Sequence, residues 1–257
     1  MKFEPFDIRS ALPAMLAAPR DRALAWWFIT GFAAYWGRPL GAGDGWDPAV
    51  VDAAERRLGL TLPAALREAY QLFGRRDDLT SNQDRLLPPD ELYVWDGALV
   101  YREENQGCAH WGIPLADFDE RADAVGEDAV GEDAPRDDAV RDDPRTVARP
   151  DLADKSQERW EPWMPSLAAA CVEIVMAEAL MDPDAPTDFL DTDGEGLAPE
   201  VAALCDPLQP FGPGSRWFAG TDVLIREVDD AFVCVRGRTP EALDPIREAQ
   251  FGDWLDD

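Results

Sequence analysis

The stretch Leu92-Tyr-Val-Trp-Asp-Gly-Ala-Leu-Val-Tyr101, running on through Arg-Glu-Glu-Asn-Gln-Gly-Cys-Ala-His-Trp-Gly112, decides how this chain folds. Asp96-Gly97 is the dipeptide that best accepts positive φ at both central positions of a two-residue type I′ turn, so Leu92–Trp95 and Ala98–Tyr101 read as a β-hairpin. In that register Trp95 opposes Ala98 and Val94 opposes Leu99. Apolar side chains then stand on both faces, which places the ribbon well inside a sheet. A further strand is expected from Ala109 to Leu115.

Upstream of the hairpin the pattern changes to helical spacing. Asp47 is a plausible N-cap with Pro48 at the first helical position; Val51, Ala54 and Leu58 share one face, and Gly59 can end the helix in a left-handed conformation. A second helix starts at Pro63 and carries Leu66, Ala69, Tyr70 and Phe73 before Gly74. Further back, the loop Gly37–Gly45 separates this pair from an apolar run, Ala23 to Trp36. That run is shorter than the roughly 20 residues of a membrane span. It sits behind Glu4, Asp7 and Asp21 without a small-residue cleavage site, so it reads as a buried helix and not as a secretion signal.

Downstream, residues 119–143 repeat Ala-Val-Gly-Glu-Asp at 124 and 129 and Arg-Asp-Asp at 136 and 141. With eleven acidic and three basic residues, the stretch has too little apolar surface to offset the entropy of ordering, and is expected to be a disordered insertion or a frayed helix. Ser166 caps an expected helix from Leu167 to Met181 whose only polar breaks are Glu173 and Glu178, as for a helix buried on most sides. Beyond a Pro- and Gly-rich connector, Asp222–Glu227 and Ala231–Arg236 form a second hairpin around Asp229-Asp230, and a short helix from Pro240 to Gln250 closes the chain.

At 257 residues and 46% hydrophobic, the chain can bury a substantial core. Its formal net charge of -28 has the wrong sign for holding nucleic acid or an anionic membrane, and favours a basic partner. Cys108, Cys171, Cys205 and Cys234 form no Cys-x-x-Cys pair, so reduced, cytosolic thiols are expected in place of a zinc ribbon or a disulfide scaffold.

Chemistry finds little purchase. His110 is the only histidine, and Cys108 two residues away would share its face on a strand without any of the flanking signatures of a thiol nucleophile. Nucleophile-elbow, zincin and P-loop motifs are absent from the sequence, so no catalytic residue, cofactor or metal is assigned. Asp191-Thr-Asp-Gly-Glu-Gly196 begins like an EF-hand loop, but its twelfth position is Ala202 where a bidentate Glu is needed, leaving an acidic turn. Glu104-Asn105-Gln106 is the polar group of most interest: at a strand end it can satisfy loop backbone or meet a partner. Trp95 and Trp111 fit a packed core. Trp160 and Trp163, set among charged residues and prolines, are the better candidates for exposed anchors.

The order of two capped helices, Leu62-Pro63, Tyr70, the hairpin with Trp95, Glu104-Asn105-Gln106, Trp111-Gly112 and then Asp143-Pro144 with Val147 resembles the SUKH superfamily over roughly residues 46–182, interrupted by the acidic repeat. That family includes bacterial immunity proteins and the yeast cell-wall-assembly regulator. The resemblance implies an α+β fold: an N-terminal helical extension (1–45), then one SUKH-like domain (46–257) with a mostly antiparallel central sheet. Leu62, Pro63, Tyr70, Trp95, Trp111, Gly112, Asp143 and Pro144 would be its structural motif. Function by the same resemblance is stoichiometric binding of a cognate toxin, a basic nuclease toxin being the kind the net charge of -28 suits, with Glu104, Asn105, Gln106, Trp160 and Trp163 as candidate contacts. The alternative is a non-catalytic scaffold or regulatory module.

Overall fold

The computed structural model describes residues 6–117, 141–250 and 254, and its architecture is α+β with antiparallel sheets. Aspartate side chains cap the first three helices. Asp7 and Asp21 each accept a backbone N–H two residues ahead and open α1 (Ile8–Ala17) and α2 (Arg22–Trp36). Asp47 does the same for α3 (Pro48–Leu58), which ends at Gly59 with φ of 68°. Pro63 precedes α4 (Ala64–Phe73), and a single turn, α5 (Asp77–Thr80), leads into the first strand. Helix α1 was not foreseen from the sequence. Within the expected N-terminal extension, Phe28, Ile29 and Phe32 of α2 lie in the same core as Leu66, Leu99 and Val175.

The first sheet is six-stranded: β1 (Asp84–Leu86), β2 (Tyr93–Trp95), β3 (Ala98–Glu104), β4 (Ala109–Pro114), β5 (Thr146–Pro150) and β6 (Glu161–Met164). Strands β1 and β2 pair with different halves of β3, and β4, β5 and β6 follow in order on its other side. The hairpin has the expected register, Trp95 opposite Ala98 and Val94 opposite Leu99, and its turn residues Asp96 and Gly97 have φ of 45° and 77°. Strand β3 is interior, as predicted. The short β2 is not, and Val94 is 45% exposed.

Helix α6 (Leu167–Ala179) begins at Ser166, whose side chain accepts the N–H of Ala169, and every one of its residues is buried. What buries it on its second side is another sheet, where the sequence reading had only one. Strands β7 (Thr187–Asp191), β8 (Asp206–Pro207), β9 (Ser215–Gly220), β10 (Val223–Val228) and β11 (Phe232–Gly237) run in the order β7-β11-β10-β9-β8, with the short helices α7 (Pro199–Leu204) and α8 (Asp244–Ala249) nearby. Alternation divides this sheet. Trp217, Ala219, Leu224 and Cys234 join the main core, whereas Phe218, Val223, Ile225, Val233 and Val235 pack with Val201, Leu243 and Ile246 in a second one.

Two buried glutamates of α6 receive charges from the sheets, and Glu173 ties the two sheets together. Glu173 takes Arg102 of β3 at 3.4 Å and Arg226 of β10 at 3.0 Å. Glu178 takes Arg102 at 2.7 Å and the backbone N–H groups of Asn82, Gln83 and Asp84. Arg236 of β11 donates to the last carbonyls of α2 and α6, Trp36 and Ala179, which a helix end cannot satisfy itself. Most of the expected acidic insertion, 119–140, lies outside the described residues. Its end does not behave as an insertion: Asp143 is 3% exposed and its Oδ1 accepts the N–H of Ala168 at 2.8 Å, in the first turn of α6.

Candidate functional site

The face of the six-stranded sheet turned away from α6 carries the densest set of half-exposed aromatic and charged groups among the residues singled out by sequence. Pairing places Trp95 opposite Ala98, Glu103 opposite His110, and His110 opposite Arg149, so these side chains share that face. Trp160, just before β6, lies over Gly112: a Cβ on Gly112 would stand 3.2 Å from its ring and 3.0 Å from Ala98. The bare glycine lets the indole sit close; a methyl there would displace its neighbours by a few tenths of an ångström. The Trp160 N–H then donates to the Asp96 carbonyl at 3.0 Å, fastening the segment before β6 back to the hairpin turn.

Around this contact the groups interlock. Trp95 meets Trp160 edge-on at 5.7 Å and His110 at 5.0 Å. The Arg149 guanidinium lies 4.2 Å over Trp95, with Asp96 paired to one nitrogen and Glu158 at 3.5 Å from the other. Tyr93 donates its hydroxyl to Glu103 at 2.7 Å and stands 3.3 Å from His110 Nδ1. Burial, reinforced by that bond to the carboxylate, pushes the Tyr93 phenol up, so it is a neutral donor at physiological pH. The outcome is a braced aromatic surface with carboxylates at its border. His110 faces Tyr93, Glu103 and Trp95, and among the described residues no cluster of three or more His, Cys, Asp or Glu side chains is arranged to hold a metal ion. After β7 ends at Asp191, Asp193 and Gly194 make a turn at positive φ.

The candidate contacts do not form one patch. Trp163 lies on the opposite face, paired with Trp111 at 5.8 Å and with Arg102 between them and the α6 carboxylates. Neither Trp160 nor Trp163 is a free anchor; both are half-buried and ring-paired, because glycine and arginine neighbours distant in sequence receive them. Glu104 is a loop fastener: its carboxylate accepts the N–H of Gln106 at 2.8 Å and of Cys108 at 2.9 Å, which leaves Asn105 and Gln106 exposed at the turn. Leu62, Pro63, Tyr70 and Pro144 are buried, and the Tyr70 hydroxyl donates to the Leu87 carbonyl at 2.6 Å. Trp95 and Trp111 are partly buried against the main core.

Tyr93, Glu103, Arg149 and Glu158 escaped the sequence reading. Val147 and Arg149, two apart in Thr-Val-Ala-Arg-Pro, were the available signal for a strand presenting Arg149. Comparison with protein-family models, with curated proteins and with solved structures finds no match to this chain.

Proposed function

We propose that this chain is a non-catalytic, protein-binding member of the SUKH superfamily, an immunity factor that binds a cognate basic toxin and silences it by covering its surface in a reducing, cytosolic setting. The observation that carries the reading is the outward face of the six-stranded sheet. There Trp95 and Trp160, rigidly held by Arg149 and Gly112, offer apolar contact area bordered by Asp96, Glu103 and Glu158. Rigid aromatics lose little side-chain entropy on binding, and a carboxylate border on a chain of net charge -28 attracts a cationic partner.

Other features support it. The motif residues behind the family resemblance serve the framework: Tyr70 ties α4 to Leu87, Gly112 seats Trp160 and Asp143 caps α6. Asn105 and Gln106 stand free at the β3–β4 turn for a partner's polar groups. All four thiols are free. Among the described residues no helix is long and apolar enough to cross a membrane.

The test is co-expression with the product of an adjacent toxin-like gene, followed by co-purification and calorimetry at low and high salt. A 1:1 complex that weakens with salt and is lost in Asp96→Arg is expected. Absence of binding at low salt to any neighbouring toxin-like product refutes the proposal, and isolation among housekeeping genes would favour a regulatory scaffold.

A further inference from the structure

His110, the chain's only histidine, stands in the outward face of the six-stranded sheet, and its two ring nitrogens have different surroundings. Nδ1 lies 3.3 Å from the Tyr93 hydroxyl oxygen and 3.9 Å from Glu103 Oε1. The hydroxyl has one proton, and its bond of 2.7 Å to Glu103 takes it. A carboxylate can only accept, and a charged acceptor at the shorter distance wins that proton over a neutral imidazole nitrogen. What Tyr93 turns to His110 is therefore a lone pair. Facing that lone pair and a carboxylate oxygen, Nδ1 of the neutral ring carries the hydrogen and donates it to Tyr93.

The succession Glu103, Tyr93, His110 thus fixes one tautomer, the reverse of the form that free histidine favours. Nε2 is left as an acceptor. Among the described residues nothing donates to it, and the atom is not enclosed: the side chain is 18% exposed. The ring itself is braced. Trp95 meets it nearly at right angles with centroids 5.0 Å apart, and Arg149, stacked over Trp95, is committed to Asp96 and Glu158. Nε2 is therefore an acceptor in a fixed position that the chain itself leaves unused.

We infer that His110 is a specificity-determining residue of the proposed toxin-binding face: held as the Nδ1–H tautomer by Tyr93 and Glu103, it presents Nε2 to the bound toxin and accepts an N–H or O–H from it. The inference rests on the proposed function and names the hydrogen-bonding sense that the partner must supply. A partner that sets a donor over Nε2 gains a hydrogen bond, whereas one that sets an acceptor or an apolar group there strips water from the lone pair and leaves it unpaired. The opposite tautomer would select the reverse. Tyr93 and Glu103 are positioning residues in this respect, acting through the ring.

The test is a long-range proton–nitrogen correlation spectrum of the full chain labelled with nitrogen-15 histidine, in which the single ring gives one pair of nitrogen signals. At about pH 8, above the ordinary imidazole range, Nε2 is expected at the pyridine-type position and Nδ1 at the pyrrole-type position. Glu103→Ala frees the Tyr93 proton for Nδ1, so the Nε2 signal of that variant should move toward the pyrrole type. A pyrrole-type Nε2 in the parent, or an unchanged signal in Glu103→Ala, overturns the inference. Adding the neighbouring toxin-like product should shift the parent's Nε2 signal. In calorimetry with that product, His110→Asn, which keeps an N–H for Tyr93 but puts nothing at Nε2, should bind about threefold to tenfold more weakly, and His110→Gln, which restores an oxygen there, should come closer to the parent. Affinity equal in the parent and His110→Asn, or an equal loss in both variants, overturns the inference and leaves the immunity reading standing. No toxin binding by the parent overturns that reading and this extension of it together.

Discussion

Replacing Asp84 by asparagine should stabilise the protein at neutral pH, although Asp84 makes an ion pair 3.0 Å long with Arg102. Arg102 is shared. Asp84, Glu173 and Glu178 surround it, and among the described residues the one other cation paired with this group is Arg226, on Glu173. Three buried carboxylates against two guanidiniums leave one negative charge uncompensated, and burial plus the neighbouring carboxylates outweigh Arg102 at Asp84. Its carboxyl is pushed up from 3.8 to about 6. An acid whose folded pKa is raised carries a penalty that is fully present above the folded value and gone below the unfolded one. The penalty therefore grows as pH rises from about 4 to about 6 and stays constant beyond. Roughly two pH units correspond to about 3 kcal/mol, and with its side chain only 14% exposed Asp84 is little screened by solvent. The attraction to Arg102 is already inside that balance, and asparagine keeps an acceptor for its Nη2.

Urea unfolding of the Asp84→Asn variant and the parent, followed by tryptophan fluorescence from about pH 4 to pH 8, should show the variant ahead by about 1–3 kcal/mol at the upper end and level at the lower. Asp90→Asn, on an exposed residue, controls for the general relief of negative charge. A difference that does not vary with pH, or a variant weaker than the parent at pH 8, would refute the reasoning.

Asp143 is likewise pushed up to about 6 by burial. Asp143→Asn should gain stability above about pH 6 and none below about pH 4, while Asp143→Ala, lacking an acceptor for Ala168, should fall about 1 kcal/mol short of it in the same assay. Glu104→Ala removes the acceptor of two loop N–H groups, so stability should drop by about 1–2 kcal/mol and amide exchange at Gln106 and Cys108 should quicken; unaltered exchange rates would contradict the fastening role. Gly112→Ala crowds Trp160 and Ala98 and should cost about 1 kcal/mol, with the Trp160 indole N–H resonance shifting as its bond to Asp96 adjusts; an unmoved resonance and unchanged stability would contradict the seating role.

Features governed by local backbone chemistry were legible before the structure. Asp96-Gly97 and Asp229-Asp230 sit at positive φ in their hairpins, Asp47 and Ser166 cap their helices, and Gly59 ends one, because each depends on residues within a few positions. Strands β5, β7 and β9 were not legible. In β9 Trp217 and Ala219 face one core and Phe218 the other, so burial on both sides erases the alternation that marks a strand. The second sheet escaped notice for that reason. The site was half legible: Trp95, Trp160 and His110 stood out by type, but their association depends on Gly112 and Arg149, which reach them only through strand pairing.

The outward aromatic face and the inward charge cluster are two sides of the same strands, and this fixes their register. Between Val100 and Arg102 the β3–β4 pairing shifts by one residue around Tyr101, after which Arg102 points to the α6 glutamates and Glu103 to Tyr93 and His110. A slip of one residue would send Arg102 outward and Glu103 in among Asp84, Glu173 and Glu178, stripping three buried carboxylates of their shared cation while adding a fourth. Removing one partner from a buried pair already costs about 3–5 kcal/mol, so the slipped register is heavily disfavoured. The same bulge keeps Trp111 beneath Arg102 and His110 beside Trp95. The buried cluster is thereby a condition of the outward aromatic face: it holds Trp95 and its neighbours in one arrangement.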